Sequence, residues 1–391
     1  MIRKTDLDLL FHKAAMRLNE KDNISSSVAI PNSYIIKLTT NCNLRCQYCY
    51  MGECSNYSQM DETFFLQVLD QIKSLTPKFT IYLHGGEPCL RLDLIESLRV
   101  WLEKNKLFDD VKLMLQTNGT ILNKEIINLI KMMKINVGIS IDGIHPKSNK
   151  MRVFSDNTTT VNLVLNNIDK LLAENIKVGI FSVLTSLNAP YMLEAIQYFS
   201  EKGIRSFVIN PLVLWGNAEK SKAIMATQEQ VYNLYKNLID WFSEYNIFNY
   251  DNPATERNLH WWIQGMKGHK GYMCNCAPCG AGIQTIAISP VGDVYICDQY
   301  YGDNRFLIGR LTKSTLQSII DSAQPTIHSL RNIFNINTCR KCEWRYVCCG
   351  GCSASSYYYS GNMNSVAPYC NAYKLIFNYL DIKLQDSSVV L

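Results

Sequence analysis

The run Tyr34-Ile35-Ile36-Lys37-Leu38-Thr39-Thr40-Asn41-Cys42-Asn43-Leu44-Arg45-Cys46-Gln47-Tyr48-Cys49-Tyr50 opens on a short apolar stretch and ends in three cysteines. The apolar part predicts a strand over residues 34–38 that runs straight into a cysteine loop. Three thiolates so close together can hold three irons of a cubane cluster and leave the fourth without a protein ligand. A 4Fe–4S cluster that only carries electrons normally takes four cysteines. An iron with an open position can bind a small molecule and pass it one electron. The stretch therefore points to an enzyme.

Outward from this run, five more apolar, β-branched stretches recur, at 79–84, 111–116, 136–141, 177–184 and 206–210. Helix-like segments separate them, at 61–75, 92–104, 123–134, 161–173 and 190–201. Asp61 and Asn123 suit helix N-caps, Pro190 suits a first turn and Gly203 a stop. Strict alternation of strand and helix predicts parallel strands with right-handed crossovers. Six units are too few for a closed eight-fold barrel. The expected fold is α/β, a partial (β/α)6 barrel with its chemistry at the C-terminal ends of the strands. Polar and glycine turns fall at those ends: His84-Gly85-Gly86-Glu87-Pro88, Gln116-Thr117-Asn118-Gly119-Thr120, Ser140-Ile141-Asp142-Gly143 and Asn210-Pro211. Any one of them reads as an ordinary turn. Four beside a three-cysteine loop read as a ligand site.

The 391 residues suffice for a large core and more than one domain. Charged residues make up 19% and the net charge is +5, with no long basic block, which argues against nucleic-acid binding. No apolar run reaches membrane-spanning length and residues 1–20 lack a signal-like apolar core, so no membrane association is expected. None of the 15 cysteines precedes Cys42, none lies between Cys89 and Cys274, and ten crowd between Cys274 and Cys370. A secreted disulfide scaffold would be small and spread its cysteines through the fold. Two clusters flanking a cysteine-free body suit metal or iron–sulfur ligation in a reducing cytoplasm.

The cysteine spacing, with Tyr48 just before Cys49, resembles the signature of the radical S-adenosylmethionine (SAM) enzymes over about residues 35–379. The resemblance implies that Cys42, Cys46 and Cys49 ligate a SAM-binding [4Fe-4S] cluster. It implies that Gly85-Gly86-Glu87 receive the SAM amino group, that Ser140 and Arg152 hold its carboxylate and ribose, and that Tyr48 lies beside its adenine. An Arg fork suits a carboxylate; Arg152 also reads as a solvated loop residue. The implied chemistry is reductive cleavage of SAM to methionine and a 5′-deoxyadenosyl radical, which takes a hydrogen atom from an unactivated C–H bond.

The C-terminal order is Cys279, Gly292, Cys297, then Cys339-x2-Cys342-x5-Cys348-x3-Cys352, then Cys370. It resembles the SPASM extension of peptide-modifying radical SAM enzymes. That implies two auxiliary [4Fe-4S] clusters, three clusters in all. One takes Cys279, Cys297, Cys352 and an upstream cysteine, Cys274 by spacing, with Cys276 the other candidate. The second takes Cys339, Cys342, Cys348 and Cys370. Zinc is the competing reading of Cys339-x2-Cys342 alone. Asp298, next to Cys297, matches an aspartate that sulfatase-maturing relatives use as a base; a solvated turn carboxylate is the plain alternative. Tyr300, Tyr301, Trp261, Trp262 and residues 357–359 could line a peptide groove or simply pack.

The expected organisation is an N-terminal extension at 1–32, a radical SAM partial barrel at 33–225, a helical linker at 226–273 and a SPASM domain at 274–391. The resemblance implies a maturase of a ribosomal precursor peptide that installs a side-chain cross-link, a C–C cyclophane or a thioether. The alternative is an anaerobic sulfatase maturase, which oxidises Cys or Ser to formylglycine; that group usually has Gln where His84 stands. A non-enzymatic iron–sulfur or zinc protein would explain neither the incomplete cysteine set nor the glycine turn. Expected partners are the peptide or protein substrate and an electron donor such as flavodoxin or ferredoxin. The extension is too short for a winged-helix leader-binding domain.

Overall fold

The computed structural model describes residues 29–52, 57–269 and 273–385. Most of the expected N-terminal extension, Cys54, residues 270–272 of the linker and residues 386–391 lie outside them.

The six expected strands form: β1 (Ser33–Thr39), β2 (Phe79–Gly85), β3 (Val111–Thr117), β4 (Asn136–Ser140), β5 (Val178–Leu184) and β6 (Ser206–Pro211). The five expected helices connect them: α1 (Glu62–Leu75), α2 (Leu92–Asn105), α3 (Lys124–Met132), α4 (Val161–Ala173) and α5 (Met192–Glu201). Asp61 Oδ1 accepts the Phe64 amide at 3.0 Å and Asn123 Oδ1 accepts the Ile126 amide at 2.9 Å. Both satisfy a backbone donor that the first turn leaves open. Pro190 falls in a 3₁₀ turn just before α5 rather than in its first turn.

The strands obey a period of two. In β2, Phe79, Ile81 and Leu83 are buried, whereas Thr80, Tyr82 and His84 are half-buried on the other face. β1 is buried along its whole length, so its neighbours cover both of its faces. β1 to β6 lie in sequence order and are all parallel. Parallel strands in this order are normally joined by right-handed crossovers, which carry the connecting helices on one face of the sheet.

The sheet continues past the six expected strands. The stretch read as a helical linker supplies α6 (Gln228–Phe248), a short parallel strand β7 (Thr255–Glu256) beside β6, and α7 (Arg257–Met266). At the other edge, β8 (Thr285–Ile288) from the cysteine-rich region pairs parallel with β1, Ser33 opposite Thr285 and Ile36 opposite Ile288. The antiparallel strands β9 (Asp293–Tyr295) and β10 (Leu307–Arg310) complete ten strands. This shared sheet joins the cysteine-rich region to the strand that carries the cysteine loop. The helices α8 (Leu316–Leu330), α9 (Asn337–Arg340), α10 (Arg345–Cys348), α11 (Ser353–Ser360) and α12 (Cys370–Gln385) follow. α12 docks on α6, where Tyr379 Oη donates to Asp240 at 2.5 Å and Lys383 Nζ lies 2.7 Å from the same carboxylate. Among the described residues no helix is long and apolar enough to cross a membrane.

Candidate active site

The loop after β1 is held from several sides. The Arg45 and Gln47 amides donate to the Val153 and Met151 carbonyls at 2.8 and 2.9 Å, and the Asn217 amide donates to the Cys49 carbonyl at 2.9 Å. Cys42, Cys46 and Cys49 are half-buried and not joined in a disulfide. The Leu44 amide and Asn118 Nδ2 both donate to Cys42 Sγ, at 3.4 and 3.7 Å. Burial pushes the Cys42 thiol up to about 12, and Cys46 and Cys49 add to the shift. As thiolates the three would repel one another, so a cation that takes the place of their protons is favoured.

The glycine turn after β2 packs beneath this loop. Gly85 has φ +138°, and a Cβ there would meet Thr39 O at 2.3 Å. At Gly86 it would meet Asn41 O at 2.2 Å. Both glycines therefore serve the close approach of two backbones. Glu87 is fully buried. Its carboxylate accepts from Cys89 N at 3.0 Å, Thr117 Oγ1 at 2.6 Å and Asn118 N at 2.7 Å. In this structure Glu87 thus ties the β2 turn to the β3 turn.

Tyr48 Oη donates to Asp142 Oδ2 and accepts from Arg152 Nη1 at 3.1 Å, all three side chains being buried. Arg152 is therefore not a solvated loop residue. Burial pushes the Asp142 carboxyl up while the Arg152 charge pulls it down, and burial prevails. Ser140 Oγ accepts from Gln116 Nε2 at 2.8 Å, further along the same strand ends.

Asp298 is buried too, which removes the solvated-turn reading. Lys37 Nζ lies 2.6 Å from its Oδ1, and Tyr50 Oη donates to its Oδ2 at 2.8 Å. Lys37 is fully buried, donates to Tyr50 Oη at 2.8 Å and sits 4.5 Å from the centre of the Tyr301 ring. His84, opposite Lys37 in the sheet register, brings Nε2 to 4.0 Å from Asp298 Oδ2. The Gly85 amide donates to His84 Nδ1 at 2.8 Å, which puts the ring proton on Nε2, facing Asp298. Burial lowers His84 to about 4, so the ring is neutral at pH 7. Burial pushes the Asp298 carboxyl up, but the Lys37 charge, His84 and the hydrogen bonds from Lys37 and Tyr50 together more than reverse this and it lies at about 2.

Eight of the remaining cysteines fall into two groups. Cys279, Cys297 and Cys352 pack against one apolar cluster around Tyr300 and Phe306. Burial pushes Cys297 and Cys352 up, Cys352 to about 11, and Cys274 and Cys279 add to both. Cys276 instead donates to the Met273 carbonyl at 3.0 Å and accepts from Gln284 Nε2 at 3.8 Å. Cys339, Cys342, Cys348 and Cys370 line a single cavity of about 320 Å3, solvent-facing space included, with Trp344, Tyr373 and Phe377. Among the described residues no three His, Cys, Asp or Glu are gathered as tightly as one metal ion needs.

The Radical SAM superfamily matches residues 36–198, and the iron–sulfur cluster-binding SPASM domain matches residues 279–343. The chain carries a radical SAM domain followed by a SPASM domain.

An uncharacterized protein of Methanocaldococcus jannaschii is 33% identical over 172 residues, 44% of this chain and 59% of that protein. The match thus spans less than two thirds of that relative. A cysteine-type anaerobic sulfatase-maturating enzyme of Clostridium perfringens is 25% identical over 366 residues, 89% of this chain and 96% of that enzyme. Among solved structures, native anSMEcpe with bound AdoMet and Cp18Cys peptide superposes with a TM-score of 0.79 at 22% identity, covering 92% of this chain and 99% of that one. Streptococcus suis SuiB bound to precursor peptide SuiA gives 0.66 at 16% identity, covering 92% and 79%. Both structures share the fold.

The donor chemistry suits the groups these domains imply. Three thiols stand in the radical SAM loop, two hydrogen-bond donors point at the sulfur of Cys42, and a cavity in the SPASM region has four cysteines in its wall. Three residues near the chemistry were missed in the sequence: Lys37, Tyr50 and Asp142. Lys37 carried a signal, a charge inside an apolar strand. Nothing in the sequence linked it to Asp298.

Proposed function

We propose that the chain is a radical SAM/SPASM maturase that abstracts hydrogen from a side chain of a ribosomal precursor peptide and forms a cross-link. The observation that carries this reading is the Lys37–Asp298–Tyr50–His84 cluster. It joins the strand leading into Cys42, Cys46 and Cys49 to the residue after Cys297. A peptide side chain reacting there would meet a hydrogen-abstracting centre, a base and an electron acceptor in turn.

The three cysteines of the loop would hold the SAM-binding cluster. Tyr48, Ser140, Arg152, Gly85, Gly86 and Glu87 would line the SAM side, Glu87 by fixing the turn. Cys274, Cys279, Cys297 and Cys352 would hold one auxiliary cluster and Cys339, Cys342, Cys348 and Cys370 the other; the separate role of Cys276 supports Cys274 as the fourth ligand. When bound, these groups supply one-electron cleavage of SAM and take up one electron from the substrate. Asp298 would accept the substrate's proton. At about 2 its carboxyl makes a weak base, so it competes only for a proton that oxidation has made strongly acidic. Lys37 and Tyr50 keep it ionised and aimed. We take 33–225 as the radical SAM unit, 226–273 as the connection and 274–391 as the SPASM unit. A small reduced electron carrier such as flavodoxin or ferredoxin would supply the electron, in the cytoplasm.

Conversion of a sulfatase Cys or Ser to formylglycine is the second reading. The near full-length similarity to the Clostridium perfringens enzyme favours it. The test is incubation of reduced, cluster-loaded enzyme and SAM with each peptide class. A cross-link removes two hydrogens and keeps any sulfur. Formylglycine from Cys loses the sulfur and leaves an aldehyde. Aldehyde formation on sulfatase peptides, with no cross-link on peptides encoded beside this chain, would replace the first reading by the second.

A further inference from the structure

The first auxiliary site contains a hydrogen-bond relay whose members are not ligands. Ser353 Oγ donates to Cys279 Sγ at 3.6 Å. Tyr300 Oη donates to Ser353 Oγ at 2.9 Å. Ser353 and Tyr300 are both buried. Ser353 directly follows Cys352, and Tyr300 lies three residues after Cys297. The backbones that carry two of the four cysteines thus deliver the relay to a third.

Proton counting fixes its direction. A hydroxyl has one proton to give. Tyr300 has two acceptors in reach, Ser353 Oγ and the Met363 thioether at 3.4 Å, and the serine oxygen is both nearer and the stronger acceptor. With the tyrosine proton pointing at its oxygen, Ser353 directs its own proton to Cys279. A thiolate bound to iron has no proton and can only accept. The Tyr300 ring is fixed against Phe306, ring centres 4.1 Å apart, so the donor is preorganised.

We infer that Ser353, oriented by Tyr300, raises the reduction potential of the first auxiliary cluster by donating a hydrogen bond to its Cys279 sulfur. This rests on the reading that Cys279 is a cluster ligand. A donor at a cluster sulfur stabilises the more negative, reduced state, and hydrogen bonds to sulfur are among the main determinants of cluster potential. Burial of Ser353 and Tyr300 strengthens the effect because little water competes for the donors. A higher potential makes this cluster a better acceptor for the electron that a substrate radical must lose. Ser353 touches neither substrate nor SAM; it is a tuning residue.

The experiment is a redox titration of the fully loaded enzyme, each cluster followed by electron paramagnetic resonance, with no peptide present. Ser353→Ala should keep all its iron and shift one cluster to lower potential, leaving the other two unmoved. Ser353→Thr, which keeps the hydroxyl, should titrate like the parent. Tyr300→Phe should shift the same cluster the same way by less. Unchanged potentials in Ser353→Ala with full iron would overturn the inference. If Ser353→Ala instead loses a cluster, Tyr300→Phe decides: a shift of that cluster supports the inference and none overturns it. A parent enzyme with iron for only one cluster would sink the cluster assignment itself, a failure distinct from that of the relay.

Discussion

Lys37 and Asp298, separated by most of the chain, form a buried ion pair with Nζ 2.6 Å from Oδ1. One comes from the strand before the cysteine loop, the other from the segment after β9. A buried pair stabilises little over a well-packed apolar one, but removing one partner leaves an unmatched buried charge. The pair therefore couples the radical SAM sheet to the SPASM region while keeping the carboxylate ionised.

Lys37→Met should destabilise the protein by about 3–5 kcal/mol, the cost of an unpaired buried charge. Product should fall by on the order of 10²-fold or more as the base loses its orientation. Cleavage of SAM should continue. Thermal unfolding measured beside the ratio of 5′-deoxyadenosine to modified peptide checks both. The double variant Lys37→Met, Asp298→Leu should regain stability but not product. Product formation at the parent rate in either variant would remove the pair from the mechanism.

Asp298→Asn keeps shape and hydrogen bonding but removes the charge. It should retain its clusters and transfer deuterium from labelled peptide into 5′-deoxyadenosine, yet lose about 10²–10⁴-fold in modified peptide. Normal yield would show that another group, or water, takes the proton.

His84 gives a pH dependence with a definite sign. Its folded value of about 4 lies below the ordinary 6.5 because burial opposes its charge. Between these values the unfolded chain binds the proton and the folded chain does not. The His84 contribution to stability should therefore be level above about pH 6.5 and fall as pH drops toward 4, by up to about 3 kcal/mol. Asp298, with its lowered value, contributes stability above the ordinary carboxylate range that is lost only as pH falls toward 2. The raised carboxyls of Glu87, Asp142 and Glu256 act with the opposite sign above that range, so the His84 share is read from the difference between parent and variant. His84→Gln should flatten the change in unfolding temperature between pH 7 and pH 5. A parent-like slope in that variant would assign the dependence elsewhere.

Much of the fold was legible because it rests on local signals. Asp61 and Asn123 cap the helices they were expected to cap, and β-branched runs bounded by glycine and asparagine turns became strands. β7 and β8 were not legible. They are two and four residues long, and sheet edges rather than local preference define them. The cysteines could be grouped from spacing and family resemblance; Cys279, Cys297 and Cys352 pack against one apolar cluster, and Cys339, Cys342, Cys348 and Cys370 line one cavity. The geometry around them could not be read. Glu87 looked available for a ligand because a carboxylate in a glycine turn is usually exposed. Its partners Thr117 and Asn118 lie a full β–α unit away. Lys37 could not be paired from sequence, since only the parallel docking of β8 on β1 brings Asp298 to it.

Cluster content separates iron–sulfur from zinc. Fully reconstituted protein should hold about twelve irons per chain if all three clusters are 4Fe–4S. Replacing Cys339 and Cys342 by Ala should remove about a third of that iron and leave SAM cleavage intact. Zinc without iron, or iron for a single cluster, would refute the SPASM ligand assignment.

The most direct test of the account is formation of 5′-deoxyadenosine from SAM by the reduced, anaerobically reconstituted protein, compared with a variant in which Cys42, Cys46 and Cys49 are all Ala. The account predicts 5′-deoxyadenosine from the parent and none from the variant, whose auxiliary iron should remain. Equal production by both, or none by a parent with full iron, would contradict it.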